Sequence, residues 1–376
     1  MSIISSAKKF KICAYAIAKN EEKFVERWVN SMIEADCIVV LDTGSSDNTV
    51  ELLSEFPNVR VYSENITPWR FDTARNMSLD KVPEDVDYCV CTDLDEVFLP
   101  GWRSSLETAL QSNPDKVSYR YTWSFNEDGS ENTVFNIEKI HKRHGFTWTH
   151  PVHEVLTYTG KDTPISIFAP GIQLNHYPDS TKSRSQYLGL LELSVKEKPE
   201  DDRNVHYLGR EYMFYGRYNE AINTLQYHLS LKTARWKDER CASMRYISRC
   251  YQALNNQKEA LIWLLRAVAE APHLREPYME AAEFFYKEKN WYGVLLFAKM
   301  ALEIKDRTDT YITDAAAWGA KPYDLLSIAF YYIGDINNAV ENAHKAHTAS
   351  PDDERIKNNL LFFENKLQHQ SSNSDQ

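Results

Sequence analysis

Three acids, Asp93, Asp95 and Glu96, close the stretch YCVCTDLDEVF (88–98), whose first half is apolar and β-rich. Residues i and i+2 of a strand face the same side, so Asp93 and Asp95 are expected to converge while Leu94 turns to the core. Two carboxylates about 4 Å apart repel by about 4 kcal/mol at an effective dielectric of about 20. They would repel an approaching diphosphate too. A divalent cation resolves both problems, and hard oxygen ligands suit Mg2+ or Mn2+ held by one or two carboxylates plus substrate phosphates.

Two earlier segments share this character: KNEE (19–22) follows AYAIA, and DTGSSDNT (42–49) follows CIVVL. Each has a plainer reading. Acids are favoured at helix N-termini, and Ser46 or Asp47 could simply cap a helix. Their succession at the ends of apolar runs points instead to one site, because ligands of open α/β sheets bind where the strands end.

The elements that must carry these segments alternate. KICAYAIA (11–18), CIVVLD (37–42), VRVYSE (59–64) and YCVCTD (88–93) read as strands. Phe24, Trp28 and Met32 recur every four residues between the first two, and residues 49–56 and 71–82 read as two further helices. Alternation of this kind predicts an α/β domain with a mostly parallel, Rossmann-like sheet. Residues 117–176 look like mixed or antiparallel strands, with turns at NEDGS and around Thr163 and Pro164.

Beyond Ser185 the pattern becomes helical. Segments 216–229, 255–272, 290–304 and 334–351 each read as a turn followed by an amphipathic helix. Aligning Ala221, Ala260 and Ala339 gives steps of 39 and 79 residues, the second close to two units of a period of about 34. The expected domains are therefore 1–184, a catalytic α/β domain; 185–368, an all-α domain of tetratricopeptide-like repeats; and 369–376, a disordered polar tail.

The net charge of −11 gives no general basic field, which counts against nonspecific nucleic-acid binding. None of the six cysteines makes a C-x-x-C, and they read as reduced thiols. With neither a signal-type apolar core nor a run of about 18 apolar residues, the expectation is a cytoplasmic protein without a membrane span.

The succession AIAKNEE, VLDTGSSDNTVELL, FDTARNMSL and CTDLDEVF resembles the N-terminal half of inverting family-two glycosyltransferases of the GT-A fold. The later IHKRHGFTWTHPVHEVL and IQLNHYP, followed by helical repeats, resemble the branch that contains the sublancin-type peptide S-glycosyltransferases. The resemblance implies a nucleotide-sugar donor, with UDP-sugar favoured. It implies donor contacts from Ala18, Asn20, Glu22, Asp42, Arg75, Asn76 and Asp93, with Asp72 at the same helix start. Thr43 stands where a second acid is usual. The implied metal ligands for Mn2+ or Mg2+ are Asp93, Asp95 and His176, and Glu154 followed by His153 are the implied candidates for the catalytic base.

His141, His144, His150 and His153 form two H-x-x-H pairs, but zinc needs a coherent ligand set and the segment reads as strands. His141 and His144 are read as structural. Lys142 and Arg143 fit a solvated edge or a contact with the diphosphate equally well. The chemistry expected is displacement at an anomeric carbon, with a base taking the acceptor proton and cations stabilising the leaving diphosphate. A peptide or protein acceptor is favoured by the repeats, which would also offer a face for a homodimer. A glycan precursor or a modified DNA base are alternatives, as is a repeat scaffold bearing an inactive transferase domain. A nucleotide-binding oxidoreductase lacks its G-x-G-x-x-G.

Overall fold

The computed structural model describes residues 9–179 and 186–374, with side chains to 370. The chain forms two compact units, Met1–Glu197 with Asp309–Tyr311, and Lys198–Thr308 with Ile312–Gln376.

The first unit begins with β1 (Ile12–Ala18), α1 (Val25–Met32), β2 (Cys37–Asp42), α2 (Thr49–Ser54), β3 (Val59–Ser63), α3 (Phe71–Asp80) and β4 (Tyr88–Cys91). It continues with β5 (Glu96–Phe98), α4 (Trp102–Leu110), β6 (Lys116–Phe125), β7 (Glu131–Lys142), β8 (Phe146–Thr149), β9 (Val155–Tyr158), β10 (Ser166–His176) and α5 (Gln186–Glu197). An eight-stranded sheet runs in the order β3-β2-β1-β4-β7-β6-β10-β5, and β8 and β9 form a separate hairpin. The β3-β2-β1-β4 half is parallel throughout. β7 then joins antiparallel to both β4 and β6, so the mixed character expected for residues 117–176 is present.

Parallel strands need cover on both faces, which explains why the β1, β2 and β4 runs are apolar without interruption. One face packs against Trp28, Val29 and Met32 of α1 and against Trp102 and Leu106 of α4. On the other face Tyr15, Val39, Cys89 and Cys91 meet Leu79 of α3 and Trp148 of β8. All six cysteines are free.

Two expectations differ here. β4 ends at Cys91, so Asp93 and Asp95 lie in a turn closed by Glu96 N donating to Asp93 O at 3.0 Å, and strand alternation does not set their directions. The first unit also extends past 184 to include α5. Tyr187 of α5 approaches Phe71 with ring centroids 5.8 Å apart, and Glu197 accepts from Arg70 at 2.6 Å.

The second unit is all helical: α6 (Asp202–Phe214), α7 (Tyr218–Ser230), α8 (Lys237–Ala253), α9 (Gln257–Glu270), α10 (Glu276–Lys287), α11 (Trp291–Glu303), α12 (Lys321–Tyr332), α13 (Ile336–Ala349) and α14 (Glu354–Ser374), with a short 3-10 turn at Ala315–Trp318. The four sequence segments read as repeats are α7, α9, α11 and α13, each the second helix of a hairpin. Every hairpin turn contains a left-handed residue, Gly216, Asn255, Lys289 or Gly334. The next residue is the N-cap of the second helix, and Asn256, Asn290 and Asp335 cap it by accepting a backbone N–H three residues on. α14 runs through most of the tail expected to be disordered, and residues 375–376 lie outside the described residues. Among the described residues no helix is long and apolar enough to cross a membrane.

Candidate functional site

The C-terminal ends of β1, β2 and β4 gather the residues singled out by sequence, and two loops form their floor. Ala18, buried at the end of β1, accepts at its carbonyl from Thr43 N at 2.9 Å and from Thr43 Oγ1 at 3.1 Å. Asn20 takes φ 56°, a left-handed value that Asn tolerates. Its N donates to Ser45 Oγ at 2.8 Å, and its Oδ1 accepts from Ser46 N at 2.7 Å. Glu22 Oε2 accepts from Asn48 N and Nδ2, both at 3.0 Å. The loops after β1 and β2 are thus interlocked.

Asp42, 3% exposed, braces its own turn by accepting from Gly44 N at 3.1 Å and Ser45 N at 3.2 Å. Gly44 has φ 104°, and a Cβ there would also come within 3.2 Å of Asn65 Oδ1. Asp47 takes the N-terminal end of α2, with Oδ1 accepting from Thr49 N at 3.1 Å.

Arg75 projects from α3 into the centre of the site and is 5% exposed. Its Nη2 donates to Asp93 Oδ1 at 2.8 Å, its Nε donates to Glu154, and its Nη1 reaches Cys91 Sγ at 3.4 Å. Lys139 of β7 approaches from the other side, with Nζ 3.0 Å from Glu96 Oε1 and 3.4 Å from Asp93 Oδ2. Glu96 is 1% exposed and also accepts from Tyr121 OH at 2.7 Å and Asp93 N at 2.9 Å. A chain of alternating charge results: Glu154, Arg75, Asp93, Lys139, Glu96.

Burial alone would raise the Asp93 pKa, but the charges of Arg75 and Lys139 outweigh it and hold the carboxyl well below the usual range. Burial likewise disfavours charge on Lys139, yet Glu96 and Asp93 hold its pKa above the ordinary value. The repulsion that the sequence argument gave to a metal ion is relieved at Asp93 by these two cations. Asp93 is accordingly turned to Arg75 and Lys139, whereas Asp95 faces another way.

Asp95 pairs instead with His176, whose Nε2 lies 3.3 Å from Asp95 Oδ2. The other ring nitrogen, Nδ1, donates to Trp123 O at 3.0 Å, and the Trp123 ring stacks on the imidazole at 4.3 Å. Burial opposes a proton on His176, but the Asp95 carboxylate prevails and the imidazole pKa is raised. An imidazole fixed through Nδ1–H to a carbonyl and facing a carboxylate through Nε2 is the arrangement of a metal-ligating histidine, so this pair fits a divalent cation.

Asn76, expected near a sugar-diphosphate, clamps α3 to β8: its Oδ1 accepts from Trp148 N at 2.7 Å, and its Nδ2 donates to Trp148 O at 2.8 Å. Asp72 is held by Arg70, with Nη2 to Oδ2 at 2.8 Å. Glu154 and His153 follow the β8 hairpin strand. Pro151 O accepts from Phe71 N at 3.0 Å, which fixes their loop against α3. His153 has φ 51° and lies 6.0 Å from the Tyr187 ring.

Lys142 pairs with Tyr88 across the sheet, at the end of β4 opposite the acids, and binds Asp115 at 2.9 Å. Arg143 donates to Val82 O at 3.0 Å. Of the β7 cations it is Lys139 that reaches the acids, and in a strand of mixed polarity, ENTVFNIEKIHK, no local sequence signal sets it apart. His141 is a buried structural group, bonded to Tyr15 OH at 2.9 Å and Lys142 O at 2.7 Å, whereas His144 is exposed at the surface. The four histidines of the H-x-x-H pairs do not form a three-ligand set; among the described residues such a set occurs only in the helical unit.

Residues 14–161 match a family described as Glycosyl transferase family 2. Residues 277–369 match one described as Prolyl 4-hydroxylase peptide-substrate-binding domain. Solved structures similar to the chain include MamA, at 17% identity over 48% of this chain and 99% of that chain, with a TM-score of 0.37. The APC/C hetero-tetramer Cut9-Hcn1 shows 13% identity over 49% of this chain and 33% of that chain, with a TM-score of 0.39. YrrB, described as a TPR protein with an unusual peptide-binding site, shows 16% identity over 46% and 81%, with a TM-score of 0.35. The chain carries a family-two glycosyltransferase domain followed by tetratricopeptide-like helical repeats.

Proposed function

We propose that the family-two glycosyltransferase domain moves a sugar from a nucleoside-diphosphate sugar, with UDP-sugar favoured, to a side chain of a peptide or protein, with inversion at the anomeric carbon. The observation that carries this reading is the paired geometry at the strand ends: Asp95 facing His176 at 3.3 Å beside the Arg75 and Asp93 ion pair at 2.8 Å. Asp95 and His176 would hold Mn2+ or Mg2+, and the imidazole favours Mn2+. When bound, the cation would neutralise charge on the leaving diphosphate.

The interlocked loops of Asn20, Glu22 and Asp42 supply a rigid floor for the nucleotide, so little ordering entropy is lost on binding. Arg75 fixes both Asp93, on the donor side, and Glu154, the candidate base. Glu154 accepts the acceptor's proton as the new bond forms, and His153 on the same loop is the second candidate. Asn76 takes part indirectly, by holding β8 and hence the loop that carries Glu154. The peptide acceptor is supported by the match of residues 277–369 to a peptide-substrate-binding domain and by the extended surfaces that helical repeats present.

Calorimetric titration with UDP, GDP and their sugar conjugates, with and without Mn2+, tests the donor site. Metal-dependent binding of one nucleotide, lost in Asp95→Asn, is expected. Equal binding by Asp95→Asn would remove Asp95 from the metal, and no binding of any nucleotide would leave the domain without a donor.

A further inference from the structure

Three arginines on α6 and α8 carry more charge than their partners neutralise. The two helices run side by side in the same direction. A carboxylate oxygen of Asp202 lies within 4.8 Å of one of Glu239, and one turn further on His206 Nδ1 meets Ser243 Oγ at 2.7 Å. The same offset sets Arg210 of α6 level with the turn of α8 that holds Tyr246 and Arg249. From α10, Glu280 accepts from Arg245 Nε and from Arg249 Nη2, the latter at 2.6 Å. Burial would raise the Glu280 pKa, but the two guanidiniums hold it below the ordinary value, so one carboxylate faces two cations.

Arg210 has no such acid. Among the described residues no carboxylate pairs with it, and its Nε is buried without a hydrogen-bond acceptor. Ring faces hold the guanidinium instead, 4.6 Å from the Tyr207 centroid and 5.9 Å from that of Phe214. Arg249 lies in the same way 5.4 Å from the Tyr246 centroid, with its side chain 40% exposed. Phe214, one turn beyond Arg210, is 64% exposed. An arginine on a helix surface is ordinarily satisfied by water and implies nothing by itself. Here the Nε is shut off from water, which is costly without an acceptor. The aromatic contacts also order both guanidiniums in advance, so less entropy is lost when an anion arrives.

The chemistry of the face selects its occupant. A carboxylate matches a guanidinium fork with two parallel hydrogen bonds. A polyanion such as RNA would be opposed by Glu280 within the face and by the chain's net charge of −11. The exposed Phe214 ring beside Arg210 suits an apolar neighbour of the carboxylate. We propose that the face formed by Arg210, Arg249 and Phe214 binds a peptide segment that carries Asp or Glu side chains next to an apolar residue. The two guanidiniums take the carboxylates, and Phe214 packs on the apolar side chain. This face precedes the segment 277–369 that matches a peptide-substrate-binding domain, and it is read by binding alone, whatever the first unit transfers.

The test titrates full-length protein into a rhodamine-labelled peptide of repeated Ala-Glu-Leu, amidated at its C-terminus so that only side-chain carboxylates are offered, and follows fluorescence anisotropy. Affinity at least tenfold above that for repeated Ala-Gln-Leu is expected. Arg210→Gln removes a charge that pairs with no acid and should weaken binding about tenfold, as should Arg249→Gln, which leaves Glu280 with Arg245. Arg210→Lys should recover only part of the loss, because the fork is gone. Raising NaCl from about 50 to about 300 mM should weaken the glutamate peptide and spare the glutamine one. Full affinity in Arg210→Gln, or tighter binding of oligouridylate RNA than of the glutamate peptide, overturns the proposal. Equal affinity of the parent protein for the two peptides, or no binding of the glutamate peptide, overturns it even where a variant fails to fold.

Discussion

Arg75 Nη2 and Asp93 Oδ1 stand 2.8 Å apart, joining the middle of α3 to the turn after β4, and the same guanidinium holds Glu154 through Nε. One buried cation therefore sets the positions of a donor-side acid and an acceptor-side acid. Removing one partner of a buried ion pair costs about 3–5 kcal/mol. The Asp93 side chain is 36% exposed, which places the expected loss for Arg75→Gln near the lower end, about 3 kcal/mol. Urea unfolding measures it, and Arg75→Gln/Glu154→Gln should recover part of the loss. An unchanged urea midpoint in the single variant would mean that the pair contributes nothing in solution.

Glu154→Gln separates the acceptor step from donor binding. The amide oxygen still accepts from Arg75 Nε, so the loop keeps its place while the carboxylate's basicity is lost. Transfer should slow by about 10²- to 10⁴-fold, the usual contribution of a positioned base, with donor affinity within twofold of the parent. Turnover at the parental rate would exclude Glu154 as the base and move the role to His153.

The strands that carry the site were legible because parallel strands covered on both faces leave unbroken apolar runs, as at Cys37–Asp42. The second helices of the hairpins were legible through their turn residues and small buried positions such as Ala221, Ala260 and Ala339. The network around Asp93 was not. Lys139 reaches Asp93 only because β7 runs antiparallel to β4 in the register that sets Val90 against Ile140. That register belongs to a pairing 50 residues apart in the chain, and local periodicity carries no trace of it. The partners of Asp93 were hidden for a related reason: the strand stops at Cys91, and a turn has no period of two.

Acid stability should report the buried histidines. Burial pushes His141 down to about 4 from an ordinary value of 6.5, and it pushes His206 down to about 3. Both are neutral in the native state, while the unfolded chain takes up their protons below about 6.5. The stability tied to His141 is present above pH 6.5 and is lost as the pH falls toward 4, about 3 kcal/mol in all. Asp93 and similar carboxylates act only at lower pH, so the interval from 6.5 to 5 isolates the histidines. Unfolding midpoints across that interval should decline with pH, less steeply in His141→Gln. Protonation of His141 above pH 6 in a nuclear magnetic resonance titration would contradict the buried placement.

Packing of the first helical hairpin makes a prediction in which two effects oppose each other. Replacing Gly209 of α6 by Ala should gain about 1 kcal/mol of helix propensity. The added Cβ, however, would lie 2.5 Å from Leu225 Cγ and 2.6 Å from its Cδ2. Cγ is not the free end of the side chain, and Leu225 is fully buried in the same core cluster as Ala221 and Ile247, so rotation gives little relief. Overpacking of this kind costs about 1–3 kcal/mol, and here it should win, leaving Gly209→Ala less stable by about 1 kcal/mol. Combining it with Leu225→Ala should yield a loss smaller than the sum of the two single losses, since the second change removes the clash. A gain in stability from Gly209→Ala alone would show that α6 and α7 stand farther apart than the close approach at Gly209 requires.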